Sequence, residues 1–274
     1  MRGGVRHTFR RSVLAPFRRS AFPAFRLCII ASFCTACTVT PLTNRIAVGE
    51  EPFVVGVGEG EDGMTDLYAA LAHGGAFVRL TFNRMVESAP RLAASGRLVA
   101  YLRRSAAGSG AADVVVLDLG NGAERRVALP HEAGAPAAVA WLEGDARIAV
   151  RTDSGLYGFA APSAAAVPTR LRGADSATAD SALGVPLGDP VAAMAVPCGS
   201  GDLCVRTADT ALAPLEAGAR GAVRWGADSV GYFTAAGFEV RPLAGGHSRH
   251  PAWTGAPSRL RELTYSPPPA GAAR

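Results

Sequence analysis

Hydrophobic and polar positions alternate along most of this chain, in short runs separated by glycine-centred turns. One 17-residue pattern recurs without gaps, as DLYAALAHGGAFVRLTF (Asp66–Phe82), DVVVLDLGNGAERRVAL (Asp113–Leu129) and GFEVRPLAGGHSRHPAW (Gly237–Trp253). Each copy reads as a strand, a glycine turn and a second strand, which is the pattern of a β-hairpin. GLYGFAAPSAAAVPTRL (Gly155–Leu171) is a decayed fourth copy. Three copies follow directly on another strand-turn-strand segment. The turns of those segments fall at Ala94-Ser95-Gly96, Glu143-Gly144-Asp145 and Gly226-Ala227-Asp228. The full unit therefore has four strands.

Units start at 66, 113, 155 and 237, and the last gap is of double length, so one unit is hidden between 172 and 236. PVAAMAVPCGSGDLCVRTADTALAPLE supplies three of its strands, the fourth being short or missing, and the polar segment Arg172–Gly188 reads as a loop. Near the C-terminus, RELTYSPPPAG looks like a first strand with no second. Near residue 53, EPFVVGVGE looks like a second strand with no first. The expectation is an all-β protein, a β-propeller of five four-stranded blades closed by pairing of the N- and C-terminal strands. A six-bladed ring and a twisted sandwich are the alternatives, and the regular repeat disfavours the sandwich.

Charge divides the chain sharply. All 28 basic residues are arginine, and the formal charge is +5. Seven arginines and no acidic residue precede Cys37; beyond it, 21 arginines face 23 acidic residues, a net of −2. The folded part therefore has no global positive field, which argues against a nucleic-acid partner. The arginine-rich start and the short apolar run Leu27–Ala36 have the layout of an export signal, too short to span a bilayer.

Cys34-Thr35-Ala36-Cys37 resembles a bacterial lipoprotein lipobox, with Cys34 where that family usually has an aliphatic residue. The resemblance implies a lipoprotein-type signal peptide over 1–36 and lipidation of Cys37. A tether is expected over 37–51, and the propeller domain over 52–274. It also implies a lipid anchor in the cell envelope, at the outer membrane and facing the periplasm.

The repeats resemble TolB-like propeller repeats, through Asp66-Leu67-Tyr68, Gly74-Gly75 and Arg79-Leu80-Thr81, then Glu87–Tyr101 and Asp113–Arg126. The likeness covers 53–162 well, and its motifs are structural. It implies a non-catalytic propeller with no cofactor that binds another envelope protein or a cell-wall component. The alternative is a five-bladed carbohydrate-active enzyme or lectin, which needs two carboxylates converging on a central channel. A degenerate, mainly structural lipoprotein is a third possibility.

Candidate chemistry is sparse. Cys198 and Cys204 flank a turn and are candidates for a disulfide in an exported protein. The acidic loop Glu59–Asp66 has the oxygen ligands of a calcium site but not the order of an EF-hand, and reads as a solvated turn. His247 and His250 point to opposite faces of a strand and read as surface residues. His73 and His131 fall in turns. Asp118, Glu143, Asp145 and Asp228 are carboxylates by type only. Trp141 and Trp225 occupy equivalent first-strand positions, as inter-blade core residues do. The composition predicts a channel lined by Ala, Val and Gly. No nucleophile elbow, phosphate loop or dinucleotide motif is present.

Overall fold

A computed structural model describes residues 42, 46–60, 63–106, 112–161, 166–187, 193–197, 203–207, 212–216 and 218–267. The chain divides into two units, and the first, Met1–Cys37, lies wholly outside the described residues. The leader and Cys37 lie there, as does Cys198.

The second unit is built of strands. In chain order they begin with β1 (Phe53–Glu59), β2 (Thr65–Leu71), β3 (Gly74–Ala76), β4 (Val78–Arg79), β5 (Met85–Leu92) and β6 (Leu98–Ser105). There follow β7 (Asp113–Asp118), β8 (Glu124–Val127), β9 (Pro136–Leu142), β10 (Arg147–Thr152), β11 (Gly155–Ala160) and β12 (Thr169–Arg170). A helix, α1 (Gly173–Ala182), precedes β13 (Val185–Leu187), β14 (Ala193–Pro197), β15 (Leu203–Thr207) and β16 (Leu212–Glu216). The last are β17 (Arg220–Trp225), β18 (Ser229–Thr234), β19 (Gly237–Pro242), β20 (Ala252–Thr254) and β21 (Ser258–Ser266).

These strands form antiparallel meanders in the orders β21-β1-β2-β4, β5-β6-β7-β8, β9-β10-β11-β12, β13-β14-β15-β16 and β17-β18-β19. The pairing of terminal strands is as expected: Phe53 faces Ser266 and Val54 faces Tyr265 across β1 and β21. A parallel pair, Thr65 with Val86, links the first meander to the second.

The first two meanders bury both faces, because each packs on a neighbour on either side. Phe53, Val55 and Val57 of β1 pack with Val99, Tyr101 and Val115 of the second meander. The alternate residue Val54 packs with Val223, Trp225 and Phe238 of the last. Hence β1 is apolar on both faces, unlike a strand with one face in water. The second meander packs on the third through Leu102, Val116, Ile148 and Phe159, and the fourth packs on the last through Ala195, Val230 and Tyr232. Leu42 and Ile46, from the expected tether, are buried in the first of these cores, and the Leu42 amide donates to the Leu119 carbonyl at 2.9 Å.

Two expectations are corrected. The segment expected as a loop over 172–188 contains α1 and β13. Ala179 of α1 is fully buried against Leu142, Leu156 and Leu171 of the third meander. The second arm of the Gly237–Trp253 copy pairs with its own first arm, among the described residues, through one β-bridge, Val240 with Arg249. Its β20 instead pairs in parallel with β3, Ala252 facing Gly74. Gly74 has a φ of 141°, and a side chain there would strike the Ala252 carbonyl.

Candidate functional site

The innermost strands of the meanders lie side by side. β17 lies against β21, β21 against β5, and β5 against β9. Side chains stitch them together across the gaps. The Leu92 amide donates to Thr264 Oγ1 at 3.1 Å, the Ala89 amide to Glu262 Oε2 at 2.6 Å, and Trp141 Nε1 to the Arg91 carbonyl at 2.8 Å.

Three of these strands carry the same bulge at the same level. On β5, Ser88 and Arg91 face Leu102 and Ala100, so one extra residue is inserted. On β17, Arg220 and Val223 face Phe233 and Gly231 in the same way. On β21, Arg261 and Thr264 face Val57 and Val55. The residue after the start of each bulge is left-handed: Ala89 at φ 52°, Gly221 at 63° and Glu262 at 54°. Only glycine adopts this conformation without strain, so Ala89 and Glu262 each store about 1–2 kcal/mol. β9 is bulged at the equivalent place, between Pro136 and Ala138.

The bulges surround a cavity of about 390 Å³ whose lining includes Ala89, Ala137, Gly221 and Glu262. A second cavity of about 410 Å³ continues along the same strands, past Ala140, Trp141, Ala222 and Val223. Arg91 and Leu263 line both. The expected Ala, Val and Gly lining is thus present, but Arg91, Arg104 and Arg224 join it and were not foreseen. An open cleft of about 1000 Å³ shares Gly221 and Glu262 with the first cavity. Phe233, Phe238, His250 and Trp253 line it, together with Arg220, Arg259 and Arg261. Behind its wall the aromatic rings interlock, Phe238 with Trp253 at 5.2 Å and Trp225 with Tyr265 at 4.9 Å between ring centroids.

Arg91 feels this environment directly. Burial pulls its guanidinium below the ordinary arginine range, and the attraction of Glu262 opposes that shift without cancelling it.

A second polar cluster is buried between the first two meanders. Glu87 on β5 is fully buried. Its Oε1 accepts from Asn83 Nδ2 at 2.8 Å, Arg103 Nε at 3.1 Å and Arg103 Nη2 at 2.9 Å. Its Oε2 accepts from Thr81 Oγ1 at 2.6 Å and the Leu67 amide at 3.1 Å. Arg103, 1% exposed, also binds both oxygens of Glu124 and the Tyr101 hydroxyl. Burial, then the charge of Glu87, pushes the Tyr101 phenol well above its ordinary range. Burial also raises Glu124, but its hydrogen bond and charge attraction to Arg103 outweigh that and hold it below the ordinary range. Every carboxylate here is committed to a protein donor, so the cluster is a structural rivet.

The structure does not bring the other candidates together. Asp118 ends β7 and pairs with Arg97 at 3.0 Å. Glu143 and Asp145 lie in the turn after β9, on either side of Gly144 at the border of the second cavity, and Asp228 in the turn after β17; none of the three is among the residues lining either cavity. Among the described lining residues of the two cavities, Glu262 is the single carboxylate. Trp225 lies in the core between the last and first meanders, whereas Trp141 also borders the second cavity. Cys204 is buried on β15, and Cys198 lies outside the described residues. Asp66 is fully buried and paired with Arg79 at 2.6 Å, so this end of the acidic loop is not solvated. His250 Nδ1 lies 3.0 Å from the Phe238 carbonyl, and among the described residues no cluster has the makings of a metal site.

The repeated trio of bulge residues was legible only in hindsight. Ser88-Ala89-Pro90-Arg91, Arg220-Gly221-Ala222-Val223 and Arg261-Glu262-Leu263-Thr264 hold equivalent positions, and aligning them would have singled out Glu262 and Arg91.

No protein-family model matches this sequence, and no curated protein matches it. Solved structures similar in fold include one from a nidogen/laminin complex, 10% identical, with 79% of this chain and 98% of that one covered and a TM-score of 0.49. TolB from Acinetobacter baumannii is 11% identical over 78% of this chain and 66% of its own, with a TM-score of 0.40. A putative TolB from Agrobacterium tumefaciens is 14% identical over 78% of this chain and 90% of its own, with a TM-score of 0.36.

Proposed function

We propose that this chain is a lipid-anchored, non-catalytic five-bladed β-propeller of the cell envelope, and that it binds another envelope protein at the bulged mouth of its central cavity. The observation that carries this is the mouth itself. Strained residues on neighbouring innermost strands converge there, beside an open cleft of about 1000 Å³ with aromatic walls and an arginine rim. Strain of this kind persists where the surroundings over-determine it, and it gathers at binding sites. Aromatic and arginine side chains are the groups most enriched at protein interfaces. The lipid on Cys37 supplies the anchor, and a Cys198–Cys204 bond would fasten the β14–β15 turn of the fourth blade.

The test is crosslinking in intact cells, followed by detergent extraction and mass spectrometry. Wild type, Cys37→Ala and the double reversal Arg259→Glu/Arg261→Glu are compared. One envelope protein is expected with the wild type, depleted with the unanchored variant and lost with the rim variant. A partner retained in full by the rim variant, or none enriched with the wild type, would count against this assignment.

A further inference from the structure

The central cavity contains positive charge that the fold compensates only in part, two arginines facing one carboxylate on its lining. Arg91 stands where the two cavities meet and lines both. Its guanidinium donates one hydrogen bond, from Nη1 to the carbonyl of the adjacent Pro90 at 3.1 Å. A guanidinium has five N–H donors, and among the described residues this one makes no other hydrogen bond. Glu262 is joined to other groups, its Oε2 accepting the Ala89 amide at 2.6 Å and its Oε1 lying 3.9 Å from Arg261 Nε, and no hydrogen bond or ion pair joins it to Arg91. Arg104, exposed, borders the same cavity. The balance on the lining is therefore cationic.

We propose that this cavity is a carboxylate-binding site anchored by Arg91, with Arg104 drawing the ligand in at the rim, and that its occupant is an acidic segment of a polypeptide. The planar fork of arginine matches a carboxylate in two parallel hydrogen bonds. A desolvated cation gains most from such a partner, since the interaction is weakly screened there. Volumes of about 390 and 410 Å³ admit a few side chains and a strand of backbone, not a folded domain. Bulges disrupt the local ladder and so free backbone groups for an extended guest. This inference deepens the protein-binding proposal and rests on it.

The experiment uses the full chain purified in detergent and a fluorescein-labelled hexaglutamate peptide with an amidated C-terminus. A hexaglutamine peptide with a free C-terminal carboxylate and inorganic phosphate are the comparison probes. Wild type is expected to bind hexaglutamate, and Arg91→Gln to bind it about 10- to 100-fold more weakly. Glu262→Gln keeps an acceptor oxygen for the Ala89 amide and removes the opposing charge, so it is expected to bind several-fold more tightly. A misfolded protein cannot mimic that gain. Equal affinity of wild type and Arg91→Gln overturns the proposal, as does a loss in Glu262→Gln. Preference for the glutamine peptide or for phosphate overturns the acidic-segment assignment. A partner crosslinked in cells without any hexaglutamate binding overturns this inference alone and leaves the protein-binding proposal standing.

Discussion

Replacing Arg103 with methionine tests whether the cluster between the first two meanders is a rivet. Methionine fills much of the arginine stem and removes the charge. Glu87, fully buried, keeps its bonds from Thr81, Asn83 and the Leu67 amide but loses its counter-charge. Glu124, at 13% exposure, can turn partly to water. Removing one partner of a buried pair costs about 3–5 kcal/mol, a large share of the ~5–15 kcal/mol that holds a typical domain. The pair replacement Glu87→Leu/Arg103→Met should cost less than Arg103→Met alone. The Leu67 amide still has Thr81 Oγ1 at 2.9 Å, and the Thr81 hydroxyl can turn to Asp66 Oδ1 at 3.4 Å. Asn83 is then left as the main orphaned donor, costing about 1–3 kcal/mol. The assay is urea unfolding followed by tryptophan fluorescence, with stability compared at equal slope. A loss below about 1 kcal/mol for Arg103→Met would refute the argument, and so would a double variant less stable than the single one.

Three further outcomes are expected. Ala89→Gly should raise stability by up to about 1 kcal/mol in the same assay, because it relieves a left-handed alanine; a loss would show that the Ala89 methyl contributes packing. Gly231→Ala should destabilise by about 1–3 kcal/mol, since a Cβ there would lie 2.4 Å from Phe238 Cζ and 2.9 Å from Val223 Cγ1; an unchanged urea midpoint would mean that the ring moves freely. Glu124 is held below its ordinary value of 4.5, so its contribution is present above that pH and disappears as the pH falls through the lower, folded value. Glu124→Gln should therefore show a shallower fall of the urea midpoint in acid, and parallel wild-type and variant curves would contradict it.

The strands were legible because their signal is local. Period-two alternation and glycine turns placed β5 with β6, β9 with β10 and β17 with β18, and the same signals placed the arms of the hairpin copies. The pairing of β1 with β21 was also readable, from two incomplete units at opposite ends. α1 was not, because its sequence, GADSATADSA, offers only alanines to the core and so carries almost no apolar periodicity. β20 was assigned to its own hairpin, whereas its partner β3 lies in a distant copy, and no local pattern encodes that choice. The cavity was harder still. It takes two or three residues each from β5, β9, β17 and β21, and a bulge depends on backbone sign, which the amino-acid pattern shows only where glycine marks it, as at Gly221. Ala89 and Glu262 carry no such mark.

The pairing of β1 with β21 joins segments whose contacts, such as Ser258 Oγ to the Glu59 carbonyl, lie 199 residues apart. During synthesis β1 therefore waits with one edge bare until residues 258–266 have emerged. A product that stops short of Ser258 leaves that edge open and strips Leu263 from the core around Trp225. Such a product advertises its own truncation, through exposed strand edge and apolar surface, to any protease or chaperone that recognises either. β21 thus covers two liabilities at once, the free edge of β1 and the apolar surface around Trp225.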